Sequence, residues 1–137
     1  MTIDLLDTNV ASHVIRGDIP RVSERLAALP MRDVAVSVIT EAELRYGVAK
    51  RGHPPGLATC VKEFLIRVEV LPWTQEVARV YGDLRAACEA AGVTLAAMDM
   101  MIAAHARAVG AILVTRGRAF GLVPNGLTVQ DWTVART

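Results

Sequence analysis

The segment Thr2-Ile3-Asp4-Leu5-Leu6-Asp7-Thr8-Asn9 sets the fold that we expect for this chain. Ile3, Leu5 and Leu6 supply apolar surface for a short buried strand, and the polar run that follows favours a cap or a turn. In an open α/β sheet, ligands bind just beyond the carboxyl ends of the strands. We therefore expect the side chain of Asp7 at that edge, where other carboxylates could join it.

The composition indicates one compact globular domain over residues 1–137. Of the 137 residues, 53% are hydrophobic and 21% are charged, and the formal net charge of +1 creates no global field towards nucleic acid or membrane. Asp4 and Asp7 stand where a signal peptide has a basic region and a long apolar stretch, and no stretch is long enough to span a bilayer. A cytoplasmic protein is expected, with Cys60 and Cys88 as reduced thiols on apolar helix faces.

Strands and helices are expected to alternate along the chain. The expected strands cover 3–6, 33–39, 68–71, 111–115 and 127–129, and the expected helices cover 10–16, 21–29, 41–50, 57–68, 74–91 and 95–109. Thr40 and Glu43 have capping-box spacing, and Thr94 is expected to cap the last helix. Alternation of this kind predicts a parallel sheet flanked by helices, an α/β sandwich.

Three carboxylates fall at equivalent places in this scheme. Asp7 ends the first strand, Glu43 opens the helix after the second strand, and Asp99 lies in the first turns of the helix before the fourth strand. Each has a structural alternative. Asp7 could be an N-cap, Glu43 could be half of a capping box, and Asp99 could be a charge favoured by the helix dipole.

The surroundings of these carboxylates favour a metal site. Asp99 lies within the stretch 96–104, the most apolar of the chain, and no Lys or Arg stands beside Asp7 or Asp99 in the sequence. A buried carboxylate protonates, pairs with a cation or coordinates a metal, because the isolated charge is costly. Hard divalent ions such as Mg²⁺ or Mn²⁺ prefer oxygen ligands, so they are the candidates for this edge.

An ordered set of motifs resembles those of the PIN-domain ribonucleases, most closely the VapC-like toxins of bacterial type II toxin–antitoxin pairs. The matching segments are Asp7-Thr8-Asn9, Ser37-Val38-Ile39-Thr40-Glu41-Ala42-Glu43-Leu44-Arg45-Tyr46-Gly47, Asp99-Met100-Met101-Ile102-Ala103-Ala104-His105-Ala106, Leu113-Val114-Thr115 and Leu127-Thr128-Val129-Gln130-Asp131-Trp132. The resemblance implies a three-layer sandwich around a central, mostly parallel sheet. It also implies a Mg²⁺- or Mn²⁺-dependent endoribonuclease that acts on tRNA or other structured RNA, and a homodimer inhibited by a small cognate antitoxin.

The resemblance implies that Asp7, Glu43 and Asp99 are the catalytic and metal-binding residues. The family's glutamate precedes a Leu-x-Tyr-Gly segment, so Glu43 corresponds to it and Glu41 is a helix charge. Three further side chains are expected to support the site: Thr8, Asn9 and Thr115.

Gly117 departs from the family pattern. The family usually carries an acidic or amide residue two positions after the threonine that matches Thr115, and Gly117 stands there. We therefore expect one ion held by Asp7 and Asp99, with Glu43 bound directly or through water. A PIN-fold module that binds RNA or antitoxin with reduced or lost catalysis is the alternative.

The remaining candidates concern RNA binding and other enzyme classes. Arg45, Arg116 and Arg118 could bind phosphates, although each could equally be a solvated surface residue. His105 lies well along its helix, so packing or a helix-end role is favoured over a general base. A phosphoaspartate enzyme of the haloacid-dehalogenase type is disfavoured, since it needs two aspartates separated by one residue, whereas two residues separate Asp4 from Asp7. A receiver domain is disfavoured because Arg116 stands where a receiver has lysine.

Overall fold

The computed structural model describes residues 2–134, with strands and helices in alternation as the sequence predicts. The strands are Asp4–Leu6 (β1), Val34–Ser37 (β2), Glu69–Leu71 (β3), Ile112–Val114 (β4) and Val129–Gln130 (β5). The α-helices are Thr8–Arg16 (α1), Pro20–Ala27 (α2), Val38–Lys50 (α3), Pro55–Arg67 (α4), Gln75–Ala90 (α5) and Ala97–Val109 (α6). Two short 3₁₀ segments cover Met31–Asp33 and Arg118–Leu122.

The five strands form one sheet in the order β3-β2-β1-β4-β5, and every neighbouring pair is parallel. In the central strand, Leu6 lies opposite Val36 of β2 and Val114 of β4. All carboxyl ends therefore meet at one edge of the sheet. Asp7 and Thr115 follow β1 and β4 directly, so the chain delivers both side chains to this edge.

Helices cover both faces of the sheet, which confirms the predicted three-layer sandwich. Leu5 belongs to a core on one face with Leu84 of α5 and Ile102 of α6. Leu6 belongs to the core on the opposite face with Val10 of α1, because successive side chains of a strand point to opposite faces. Both leucines are fully buried, and each stabilises the fold by about 1.5–3 kcal/mol.

The junction between β2 and α3 differs from the prediction. The second strand ends at Ser37 and the helix begins at Val38, three residues earlier than expected. Ser37 is the N-cap, and its Oγ accepts a hydrogen bond from the Ile39 N–H at 3.0 Å. The β-branched pair at 38–39 has strand propensity, but the serine cap and burial against neighbouring helices outweigh it. The capping box of Thr40 and Glu43 was therefore wrong.

Three smaller predictions were also wrong. Helix α6 begins at Ala97 with Ala96 as its N-cap, so Thr94 does not cap it. Strand β5 covers Val129–Gln130 and not 127–129. Cys88 is buried as expected, but Cys60 is exposed, and both are free thiols.

Among residues 2–134, no helix combines the length and apolarity that crossing a membrane requires.

Candidate functional site

Asp7 is held rigidly at the carboxyl edge of the sheet. It is the N-cap of α1, where its Oδ1 accepts a hydrogen bond from the Val10 N–H at 2.8 Å. Its Oδ2 accepts a second bond from the hydroxyl of Thr115 at 2.5 Å. The prediction that Asp7 is an N-cap is therefore confirmed. The cap does not exclude a metal, because each carboxylate oxygen keeps a further lone pair.

Burial makes the charge of Asp7 unfavourable. The side chain is only 5% exposed. Desolvation raises its pKa above the usual value, the two hydrogen bonds oppose that rise, and the charges of Asp99 and Glu43 add to it. The charges of Asp99 and Glu43, which are distant in the sequence, thus act on Asp7 in the folded protein.

Glu43 is oriented by a chain of hydroxyl groups. The Thr8 hydroxyl donates a hydrogen bond to Oε1 of Glu43 at 2.5 Å. Thr8 Oγ1 also lies 3.1 Å from Oγ1 of Thr40, which is fully buried. Since the single Thr8 proton is used on the carboxylate, the Thr40 hydroxyl donates to Thr8. Helices α1 and α3 are thereby connected at the glutamate.

Asp99 lies in the first turn of α6 and is partly buried. Desolvation raises the pKa of its carboxyl group, and the charge of Glu43 raises it further. None of the ion pairs formed within residues 2–134 includes Asp7, Glu43 or Asp99. The raised pKa values indicate that the three acidic side chains repel one another, and no Lys or Arg among residues 2–134 pairs with them.

The chemistry of this group fits a hard divalent cation. All its donors are carboxylate oxygens, and a cation between them would relieve the repulsion that raises the pKa values of Asp7 and Asp99. In the described part of the chain, however, no three His, Cys, Asp or Glu side chains are already arranged to hold a metal ion together. Direct binding of one ion by all three carboxylates would therefore require at least one of them to turn, whereas two carboxylates with the third joined through water would not.

Thr115 and Gly117 follow β4 and are connected by hydrogen bonds to each other and to Asp7. The buried Thr115 hydroxyl donates to Asp7 and accepts a hydrogen bond from the Gly117 N–H at 3.0 Å. A Cβ added at Gly117 would lie 2.9 Å from the ring of Phe120. The backbone of Gly117 has φ −76°, which any residue can adopt, so the obstacle to a side chain here is the ring.

The three arginines predicted to bind RNA lie in different settings. Arg45 is exposed and its Nε donates to Glu41 at 2.6 Å, a surface pair. Arg116 reaches across to α1, where its guanidinium lies 3.1 Å from Nε2 of His13. Arg118 is exposed at the start of the second 3₁₀ segment. Asn9, predicted to support the site, is exposed in the first turn of α1.

A groove beside Glu43 is lined by residues that the sequence did not single out. Its volume is about 270 Å³, and Thr8 and Glu43 line it together with Arg16 and Arg51. Arg16 follows Thr8 by eight residues and Arg51 follows Glu43 by eight, a spacing that returns to the same side of a helix. This eight-residue spacing could have pointed to both arginines from the sequence. The three-residue spacing of Thr40 and Glu43 places these two side chains next to each other on α3.

Similarity to known proteins extends over nearly the whole chain. A model of the PIN domain matches residues 5–125. The chain is 33% identical to ribonuclease VapC2 of Rickettsia felis, covering 95% of this chain and 98% of that protein. It is 34% identical to the tRNA(fMet)-specific endonuclease VapC of Shigella flexneri, covering 94% and 97%. The crystal structure of DNA-bound VapBC from Salmonella typhimurium superimposes with a TM-score of 0.89 at 32% identity, covering 96% of this chain and 99% of that chain.

Proposed function

The chain belongs to the PIN-domain family, and on that premise we propose that it is an endoribonuclease and the toxin of a toxin–antitoxin pair. The observation that carries the proposal is the group of Asp7, Glu43 and Asp99 at the carboxyl edge of the sheet, each within electrostatic reach of another. Relatives that share about a third of its residues over nearly their whole length bear the names ribonuclease and endonuclease. The match to a PIN domain also speaks against a phosphoaspartate enzyme or receiver domain.

In this proposal Asp7, Asp99 and Glu43 hold Mg²⁺ or Mn²⁺. The ion supplies a polarised water and positive charge beside the scissile phosphate. Thr115 fixes the orientation of Asp7, and Thr8 fixes that of Glu43, so the carboxylates meet their ligand with little loss of side-chain freedom. One ion is proposed for the free enzyme, since Gly117 offers no ligand.

The arginines around this site would bind the RNA backbone. Arg16 and Arg51 line the groove beside Glu43, and Arg116 follows Thr115 at the rim. Arg45 lies on α3 two residues after Glu43, and Arg118 follows Arg116 by two residues at the start of the second 3₁₀ segment. Phosphate contacts supply most of the non-specific affinity of a protein for nucleic acid, which a local patch provides even though the net charge is only +1. Structured RNA such as tRNA is the proposed substrate, because one relative is named a tRNA(fMet)-specific endonuclease.

The proposal also covers the binding partners of the protein, its domain organisation and its location. A small cognate antitoxin is proposed as inhibitor, supported by similarity to the toxin in a VapBC complex. Residues 1–137 would act as one PIN-like domain, supported by the single sheet that all five strands share. A homodimer is proposed from the family resemblance. A cytoplasmic location is proposed because the RNA and the antitoxin would both be met there. The binding-only alternative is not favoured, since all three carboxylates are present.

Cleavage of total tRNA by the purified, antitoxin-free protein tests the activity. Reactions contain Mg²⁺, Mn²⁺ or EDTA, and Asp7→Asn is compared with the matched control Asp83→Asn, an exposed residue of α5. We expect discrete fragments with either metal, none with EDTA, none from Asp7→Asn and unchanged fragments from Asp83→Asn. Absence of cleavage by the folded wild-type protein with both metals would support the binding-only module. Equal cleavage by Asp7→Asn would show that the cleavage does not depend on Asp7 and would contradict the proposed site.

A further inference from the structure

A buried polar contact that the proposed chemistry does not use joins the two helices of the site. His105 lies in the interior of α6 and is fully buried. Its Nδ1 lies 2.7 Å from Oγ of Ser37, also fully buried and 68 residues away in the chain. Ser37 ends β2 and caps α3, so this one contact connects α6 with the beginning of α3.

The hydrogen-bonding pattern assigns the protons. Ser37 Oγ already accepts a hydrogen bond from the Ile39 N–H, which leaves its hydroxyl proton to donate. His105 Nδ1 is the acceptor within reach, so the imidazole is neutral with its proton on Nε2. Burial lowers the pKa of His105, which also favours the neutral ring. The serine therefore serves as a helix cap and as a donor to α6 at the same time.

Packing alone does not account for a histidine at this position. Nε2 of His105 is buried and has no hydrogen-bond partner among the residues that the structure describes, and the ring makes an edge-to-face contact with Trp73 at a centroid distance of 5.7 Å. A leucine would fill an apolar core without leaving a polar atom unpaired. The specific contribution of the imidazole is thus the bond that Nδ1 makes with Ser37.

Each residue of this bond is six residues from one of the carboxylates of the site. Glu43 follows Ser37 by six residues along α3, and Asp99 precedes His105 by six residues along α6. Six residues of α-helix correspond to about 9 Å. A shift of either helix at the bond therefore changes the separation of Glu43 and Asp99, whose charges already act on each other.

We propose that His105 is a positioning residue, which through its bond to Ser37 sets the separation of Asp99 and Glu43 for a divalent cation. The inference rests on the proposed function for its link to RNA cleavage, but its effect on metal affinity can be measured without RNA. Partners of this kind, which orient metal-binding side chains without touching the ion, change affinity or activity by about 10–100-fold when they are removed.

Three variants of His105 separate the hydrogen bond from packing. In His105→Asn, the amide occupies the place of Nδ1 and can keep the bond to Ser37. In His105→Gln, the amide reaches the place of Nε2 and cannot keep the bond to Ser37, although glutamine is closer to histidine in volume than asparagine is. His105→Leu retains packing without any polar atom. Each full-length protein is measured for Mn²⁺ affinity by calorimetry, for kcat and KM on tRNA, and for thermal unfolding.

We expect His105→Leu and His105→Gln to lower Mn²⁺ affinity and kcat by about tenfold or more. KM for tRNA should change by less than about twofold, since the arginines of the rim are untouched. His105→Asn should recover most of both quantities. A leucine variant that keeps wild-type Mn²⁺ affinity, or a glutamine variant that equals or exceeds the asparagine variant, would overturn the proposal.

A second pair of variants covers the case in which the His105 variants do not fold. Ser37→Ala removes both the cap and the bond, whereas Thr74→Ala removes only a comparable cap, at α5, where Thr74 accepts from the Val77 N–H. We expect only Ser37→Ala to lower Mn²⁺ affinity, and equal affinities for the two would refute the inference. Wild-type protein that binds Mn²⁺ without cleaving RNA would overturn the proposed nuclease and leave the positioning role measurable. Wild-type protein that does not bind Mn²⁺ would overturn both.

Discussion

Asp7→Asn is expected to abolish RNA cleavage and, in the absence of metal, to stabilise the protein at neutral pH. Desolvation and the charges of Glu43 and Asp99 hold the pKa of Asp7 above its unfolded value near 3.8, so the ionised form is less favourable folded than unfolded. Asparagine removes that charge. It keeps an oxygen for the Val10 N–H and is as good an N-cap as aspartate.

The expected magnitude comes from opposing contributions. Removing a carboxylate that is only 5% exposed relieves a desolvation penalty of several kcal/mol, and it relieves the repulsion from two neighbours. Against this, hydrogen bonds to the charged group contribute about 1.5–3 kcal/mol each, and the one from Thr115 must rearrange. The raised pKa shows that the penalty prevails, so we expect a net gain on the order of 1 kcal/mol, or about 3 °C in Tm.

The sign of the pH dependence follows from the same shift. A folded pKa above the unfolded one makes protonation stabilising, and that stability is fully present below about pH 3.8 and lost as pH rises through the raised pKa. The advantage of asparagine should therefore be full near neutral pH and shrink as the pH falls towards 4. Thermal unfolding in EDTA across this range measures it, with Asp83→Asn as the control.

Metal should reverse the order of stabilities. At a Mn²⁺ concentration of about 100 times Kd, the wild type gains about 2.7 kcal/mol, whereas Asp7→Asn lacks a ligand and gains far less. Asparagine is thus expected to be the more stable form in EDTA and the less stable form in Mn²⁺. The account of an acidic site destabilised by desolvation and charge repulsion would be refuted if Asp7→Asn were less stable than the wild type in EDTA. It would also be refuted if Mn²⁺ left the unfolding temperature of the wild type unchanged.

Three further predictions follow from other parts of the site. Gly117→Ala should lower stability by about 1–3 kcal/mol, because its methyl group meets the Phe120 ring, whereas Gly121→Ala, which has open space around it, should be nearly neutral in urea unfolding. Arg116→Ala should raise KM for tRNA with kcat little changed and reduce the salt slope of binding by about 1, and an unchanged slope would show that Arg116 makes no phosphate contact. His105 has its pKa lowered by burial, so the unfolded chain takes up its proton first as pH falls below about 6.5. Wild-type stability should therefore fall over that range, and His105→Asn should flatten the curve in thermal unfolding.

Local patterns identified most of the elements, but they misplaced the start of α3. Val38 and Ile39 continue the β-branched run of the preceding strand, and Thr40 with Glu43 looks like a helix start. In the folded protein, Ser37 takes the cap, because its hydroxyl is satisfied by the helix and by His105 together. The second of these partners is 68 residues away, so no local rule could weigh it.

The rim of the site shows the same limit. Arg45 was predicted to bind RNA because it follows Glu43 closely in the sequence; it pairs with Glu41 at the surface, and its role in RNA binding stays a prediction. Arg16 and Arg51 were missed, although they line the groove beside Glu43. Which long side chains surround a site depends on how helices cross, and helix crossing is a property of packing between distant segments.

The sequence by itself determined the alternation of strands and helices and the place of Asp7 after a buried strand. It also supplied the motifs that identified the family, because strand and helix periods, caps and short motifs are local properties. Only the tertiary structure decided that Thr40 and Thr8 orient Glu43, that a phenyl ring lies against Gly117, and that a buried histidine joins the two helices of the site. These contacts depend on which surfaces meet when the sheet is covered, and the free energy of burying those surfaces together is shared among residues far apart in the chain.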